Sequence, residues 1–290
     1  WKNGMREGKG TMFYSNGSKY IGMWKNGMRE GKGKMFYVDD LNHSVKYLKH
    51  YKGDVYEGYW KDDKRDGKGI YKWMSGEWKG DIYNGEYKCD KKHGYGTYEW
   101  ADGRVYVGTY EDDIKNGKGI YKFYGHVYEG DWKNDNLNGK GTMIELSGTK
   151  YEGMWKDFKY NGEGTKTWPD GSKYVGMWKN DERNGEGTMI FPDGSKYVGM
   201  WKDDKRNLYG SITYPDGSKY DGMWKNDIRE GKGKIIYPDG KKYIGMFKNG
   251  IREGKGKMYK KCDPKDEPYD PNDIPYTVYI RIIKKNVVYE

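Results

Sequence analysis

The residues of this chain best suited to metal binding or nucleophilic catalysis are His43, His50, His93, His126, Cys89 and Cys262, and they are scattered. No histidine pairs with a cysteine or an acid at a zincin, zinc-finger or triad spacing. The two cysteines lie in unrelated contexts and outline neither a disulfide framework nor a metal site. A recurring Gly-Lys-Gly, as at Gly31 to Gly33, lacks both the Gly-x-x-x-x-Gly-Lys-Ser/Thr frame and the helix of a phosphate loop. No catalytic, cofactor-binding or metal-ligating residue is assigned, and the chain reads as a non-enzyme.

What recurs instead is lysine. One set follows an aromatic residue (Lys156, Lys179, Lys202, Lys225 and Lys248), and another precedes a tyrosine (Lys150, Lys173, Lys196, Lys219 and Lys242). Identical positions in a stacked array line up in space, so both sets are expected to form rows. Near an anionic membrane each lysine contributes roughly 1 kcal/mol, less as salt rises, so a row can hold acidic lipid where one residue cannot. The competing reading is a solvated surface: 54 Lys and Arg against 44 Asp and Glu give a net +10, thinly spread. Nucleic acid is not an expected partner, because the rings that would stack on bases are needed for packing.

A second series is apolar. Met154, Met177, Met200, Met223 and Met246 recur, with Val175, Val198 and Ile244 two residues earlier; Met23 and Ile21 repeat the pair near the start. Equivalent pairs between them are polar or mixed, as in Glu57/Tyr59 and Asn84/Glu86. An exposed apolar stripe marks a contact surface, and methionine adapts to varied partners. The competing reading is that the stripe is covered within the chain, for example by its own tail.

All of these positions hang on one unit of 23 residues, plainest from Gly171 to Asp193, whose Tyr-x-Gly-x-aromatic core starts at Tyr20, Tyr56, Tyr83, Tyr106, Tyr128, Tyr151, Tyr174, Tyr197, Tyr220 and Tyr243. Trp1 occupies the aromatic position of a partial earlier copy. Side chains alternate faces in a strand, so Tyr174, Gly176 and Trp178 share one side and Val175 and Met177 the other. Lys179 to Asn184 reads as a turn and Gly185 to Phe191 as the returning strand, with Trp178 expected opposite Gly185, Gly176 opposite Gly187 and Tyr174 opposite Met189. Pro169-Asp170-Gly171 and its equivalents are tight turns between units. A mean hydropathy of −1.19 would suggest disorder, but 12 Trp, 31 Tyr and 6 Phe supply a core of rings.

The Tyr-x-Gly-x-Trp-Lys-Asn, Gly-x-Gly and Pro-Asp-Gly-x-x-Tyr elements closely resemble the MORN (membrane occupation and recognition nexus) repeat. The resemblance spans residues 1 to about 259 and implies an all-β fold: an elongated, single-layer antiparallel sheet of stacked β-hairpins. It further implies scaffolding, dimerisation, and attachment to membranes or cytoskeleton through acidic phospholipids or protein partners. Leu208 for the first Gly of Gly-x-Gly, Phe247 for Trp, and Gly125-His126 for the usual turn depart from the pattern.

The expected organisation is a repeat array over 1–259 with an insertion near 38–52, a linker rich in Pro and charge over 260–275, and a short β tail over 276–290 that caps the array or begins a further segment. Both ends read as cut points. No run of 18 apolar residues and no signal peptide is seen, and a reducing, cytoplasmic setting, peripheral at membrane or cytoskeleton, is expected. Two functions are carried forward. The first is a non-enzymatic scaffold that self-associates or binds a protein partner through the apolar stripe and touches acidic membranes through the lysines. The second is the regulatory or targeting module of an enzyme, a SET-domain lysine methyltransferase or a phosphatidylinositol phosphate kinase, whose catalytic domain lies outside this chain.

Overall fold

A computed structural model describes residues 2–38 and 53–259. Twenty-one strands, from β1 (Gly8–Phe13) to β21 (Ile251–Tyr259), form one open antiparallel sheet, each strand paired with its neighbours in sequence. This is the single-layer ribbon of hairpins expected from the repeat. The insertion over 39–52 and the linker and tail over 260–290 lie outside the described residues, with the loop, cap and strand expectations attached to them.

One unit explains the rest. Strands β14 (Lys173–Lys179) and β15 (Glu182–Ile190) are joined by Asn180-Asp181 alone, at φ of 50° and 72°. A two-residue hairpin turn needs left-handed backbone at both positions to match the strand twist, and Asn and Asp tolerate it. The turn is therefore shorter than the six residues expected, and Glu182 to Asn184 lengthen the returning strand. Tyr174 faces Met189 and Gly176 faces Gly187, but Trp178 faces Arg183 rather than Gly185. The displacement is a bulge: Met177 alone opposes Asn184, Gly185 and Glu186, and Gly185 takes a φ of 100°. Gly185 instead faces Trp201 of β16 (Lys196–Lys202), so the glycine serves the following hairpin.

The other connection is Pro169-Asp170-Gly171. Trp168 and Ser172 close it: the Trp168 N–H donates to the Ser172 carbonyl (3.0 Å), and the Gly171 N–H to the Trp168 carbonyl (3.0 Å). Asp170 Oδ1 accepts from the Ser172 N–H (2.9 Å).

On one face the tyrosine of each unit but one lies across a glycine pair; at the exception, Tyr128, Leu137 and Trp155 lie against Gly130 and Gly141 instead. A Cβ on Gly187 would sit 2.2 Å from Tyr174 Oη, and one on Gly176 would sit 2.5 Å from Gly187 Cα. The Tyr174 hydroxyl donates to the Met177 carbonyl (3.0 Å). Trp201 stands edge-on to Tyr197 of its own unit (5.1 Å) and to Tyr174 of the preceding one (5.6 Å), and its indole N–H reaches the Gly187 carbonyl. Edge-to-face pairs contribute about 0.5–1.5 kcal/mol beyond burial, so the tryptophan row ties hairpins together.

A charged clamp overlies that row. The Arg183 backbone N–H and Nε both donate to Asp204 Oδ1, in the turn of the next hairpin (2.9 and 2.8 Å), and Nη2 donates to the Asp204 carbonyl (2.8 Å). Its guanidinium lies 4.1 Å from the Trp201 ring centroid. Arg29 with Asp63 and Trp60, and Arg206 with Asp227 and Trp224, repeat the arrangement. Leu208 does not disturb the register: it keeps the left-handed backbone of the glycine it replaces (φ 58°) and pairs with Trp224.

Candidate functional site

Alternation puts Lys173, Val175, Met177 and Lys179 on the face opposite the rings, and Lys196, Val198, Met200 and Lys202 repeat this one hairpin on. Each of these two hairpins thus presents an apolar pair between two lysines. Val175, Met177, Val198 and Met246 are exposed, Val198 at 48 %; Met154, Met200, Met223 and Ile244 are half-buried.

The stripe is not the continuous band its spacing suggested. The returning strand inserts its own residue between successive methionines: Lys140 opposes Met154, Glu163 opposes Met177, Glu186 opposes Met200, Tyr209 opposes Met223 and Lys232 opposes Met246. Val175 and Val198 both pair with Thr188. The result is a checkerboard of apolar and polar squares.

Of the lysines, Lys150 is held by Glu152 (2.9 Å), Lys219 by Asp221 (3.5 Å) and Lys248 by Glu253 (3.4 Å), while Lys242 is half-buried. Among the described residues Lys173, Lys179, Lys196, Lys202 and Lys225 make no ion pair, and all five are exposed.

Two contributors to this face were missed from the sequence. Ile190 is exposed and sits between Lys173 and Lys196, with which it pairs on either side; alternation on the returning strand would have placed it. Leu208, 55 % exposed, occupies the position where a Cβ on the equivalent Gly185 would lie 3.1 Å from the Met177 Cβ. This departure from the Gly-x-Gly pattern adds apolar surface on the side of Met200.

A family model described as the MORN repeat matches residues 1–19, 20–41, 56–78, 83–103, 106–125, 128–144, 151–173, 174–196, 197–219, 220–242 and 243–261. The chain belongs to the MORN repeat family. Its eleven MORN repeats make it a member of a family of repeat scaffolds, and the first match includes the partial copy that holds Trp1. No curated protein matches the chain. Among solved structures, the TCP domain of SAS-4 (dCPAP) of Drosophila melanogaster, in complex with a proline-rich motif of Ana2 (dSTIL), is 15 % identical; the match covers 53 % of this chain and 85 % of that one, with a TM-score of 0.34. A streptogramin B lyase is 13 % identical over 89 % of this chain and 70 % of that one, with a TM-score of 0.13. Neither likeness supports an assignment.

Proposed function

We propose that this protein is a non-enzymatic scaffold whose lysine-bordered face, from Lys150 to Lys248, docks a protein partner and rests on acidic phospholipid. The observation that carries the reading is co-facial placement: apolar pairs such as Val175/Met177 and Val198/Met200 are flanked by unpaired Lys173, Lys179, Lys196 and Lys202 on one side of the sheet. Apolar contact supplies the short-range attraction, and the lysines orient an anionic surface against it. A second copy of the chain is a partner of the same kind, which makes this face a route to homodimers. Such a scaffold works in the cytoplasm, peripheral at a membrane or the cytoskeleton.

The test is light scattering and phosphatidylserine-vesicle co-sedimentation on the protein carrying Met177→Glu, Met200→Glu and Met223→Glu. Loss of self-association or of vesicle binding, with the thermal transition kept, is the expected result. Wild-type behaviour in both assays would count against this face.

A further inference from the structure

On the ring-bearing face the clamp position changes in the middle of the ribbon. Where Arg65 binds Asp90 and Arg183 binds Asp204, the equivalent residues are Lys92 and Lys115. Lysine lacks the planar fork that reaches a carboxylate and a carbonyl together. The backbone N–H groups of Lys92 and Lys115 still donate to Asp113 Oδ1 and Asp135 Oδ1 (2.9 and 3.0 Å), but among the described residues neither ammonium makes an ion pair. The Lys92 ammonium lies 4.8 Å from the Tyr98 ring centroid, and that of Lys115 lies 5.2 Å from that of Trp100. Burial pulls both below the usual lysine range, against the aspartates.

Space opens beside them. A cavity of about 370 Å³ is lined by Trp73, Trp78, Trp100, Tyr110 and the two lysines, with Asp113 and Asp135 at its wall. Trp78, 57 % exposed, comes from the segment between Trp73 and Asp81, which has no counterpart in the regular units. That segment is fixed: Asp81 accepts from the Tyr98 hydroxyl (2.7 Å) and from the Ala101 N–H (2.9 Å).

The last observation is independent of the lysines. Tyr110 is only 4 % exposed and lines the cavity, yet its hydroxyl has no hydrogen-bond partner. A buried polar group left unmade costs about 1–3 kcal/mol, so an orphan at a cavity wall points to a ligand that completes it.

Three groups are therefore free to donate, two of them charged, and three indoles stand beside them. We propose that this cavity takes an acidic side chain from an extended segment of a protein partner, its carboxylate held by Lys92, Lys115 and the Tyr110 hydroxyl and an apolar neighbour lying on Trp73, Trp78 and Trp100. The occupant is a segment of a larger partner because the sheet is a single layer: nothing among the described residues closes over the cavity, and a small molecule would keep one side in water, unlike the mostly buried ligands of enclosed pockets. An inorganic oxyanion would leave the indoles uncovered. This site is on the opposite face from the lysine-bordered surface and stands or falls separately from it.

The test is calorimetry on the whole chain with two probes, Ac-Gly-Phe-Glu-Phe-Gly-NH2 and its Gln counterpart, and with pyrophosphate and indole-3-acetate. The Glu peptide is expected to bind at least about ten-fold more tightly than the Gln peptide, the equivalent of ~1.4 kcal/mol. Trp78→Ala and Tyr110→Phe should each weaken it, and Tyr110→Phe should leave the melting temperature unchanged or higher because it removes an unpartnered hydroxyl. Lys92→Arg preserves the charge but restores the fork to Asp113, and should weaken binding as well. Equal affinity for both peptides, no binding of the Glu peptide at about 1 mM, pyrophosphate or indole-3-acetate bound as tightly as the Glu peptide, or indifference to Trp78→Ala and Tyr110→Phe would each overturn the assignment.

Discussion

Leu137 and Phe158 stand where more distant hairpins place an arginine and the aspartate it binds, as Arg183 and Asp204 do. The Phe158 N–H donates to the Leu137 carbonyl (3.1 Å), as the Asp204 N–H does to that of Arg183 (3.2 Å), so the backbone contact is the same and only its chemistry has changed. Phe158 packs edge-on against Trp132 (5.3 Å), and Leu137 is fully buried. Half of either pair would be costly. Leu137→Arg alone should destabilise by about 3–5 kcal/mol, as a buried charge without a partner. Adding Phe158→Asp should recover part of the loss, with a coupling of about 0.5–3 kcal/mol in a denaturation double-mutant cycle. Additive effects would show that the two positions act separately.

Glycines of the unit fail for different reasons when substituted. Gly187→Ala drives a Cβ into the Tyr174 ring and should cost at least ~2 kcal/mol by overpacking. Gly171 has open space around its Cβ position but a φ of 84°, so Gly171→Ala should cost about 1–2 kcal/mol from backbone strain alone. Urea titrations of both variants should rank them in that order.

Leu208 carries the inverse prediction. Its left-handed backbone is strained for a residue with a Cβ, and Leu208→Gly should raise stability by about 1 kcal/mol. If Leu208 is kept for contact, the same variant should bind its partner or self-associate more weakly. A higher melting temperature with unchanged association would reduce Leu208 to an unselected defect.

The tyrosine row makes the fold sensitive to alkali. Burial raises the Tyr20 hydroxyl to about 12, with Arg29 pulling the other way, and burial also raises Tyr56, Tyr83, Tyr106, Tyr151, Tyr174, Tyr197 and Tyr220. Above about pH 10 the unfolded tyrosines lose protons while the folded ones keep them. Stability is therefore full below pH 10 and falls as pH rises through 12. Denaturant midpoints that stay level across this interval would contradict the burial.

On the other face, Lys173→Gln, Lys196→Gln, Lys202→Gln and Lys225→Gln should weaken binding to phosphatidylserine vesicles by up to about five-fold per residue, from ~1 kcal/mol each. Raising salt should have the same effect on the wild type. Co-sedimentation insensitive to both would remove lipid from the proposed function.

The spacing of tyrosine and glycine was enough to place the strands, their faces and the tyrosine–glycine stack, because a two-residue alternation and a 23-residue period leave little freedom. It misplaced Trp178 because the bulge at Gly185 is a backbone choice that alternation does not encode. The arginine clamp was missed although Arg183 and Asp204, like Arg206 and Asp227, keep one separation; a fixed spacing between opposite charges was the available signal. Nothing periodic could announce the Trp78 cavity, since part of its wall is a segment that does not repeat. Rows of lysine and methionine were found at their positions, but whether neighbours interrupt them depends on the returning strand, and Glu163 and Glu186 had not been set beside Met177 and Met200.

Because every strand pairs only with its sequence neighbours, the ribbon has a mechanical grain. Tension applied at the two ends of the array peels hydrogen bonds from the outermost strand inward, one after another, instead of shearing many at once. Each clamp between an arginine and the following turn then acts as a catch released in series. A chain of this design yields in even steps of one hairpin and lengthens under load, a spring whose stroke is set by how many hairpins it carries.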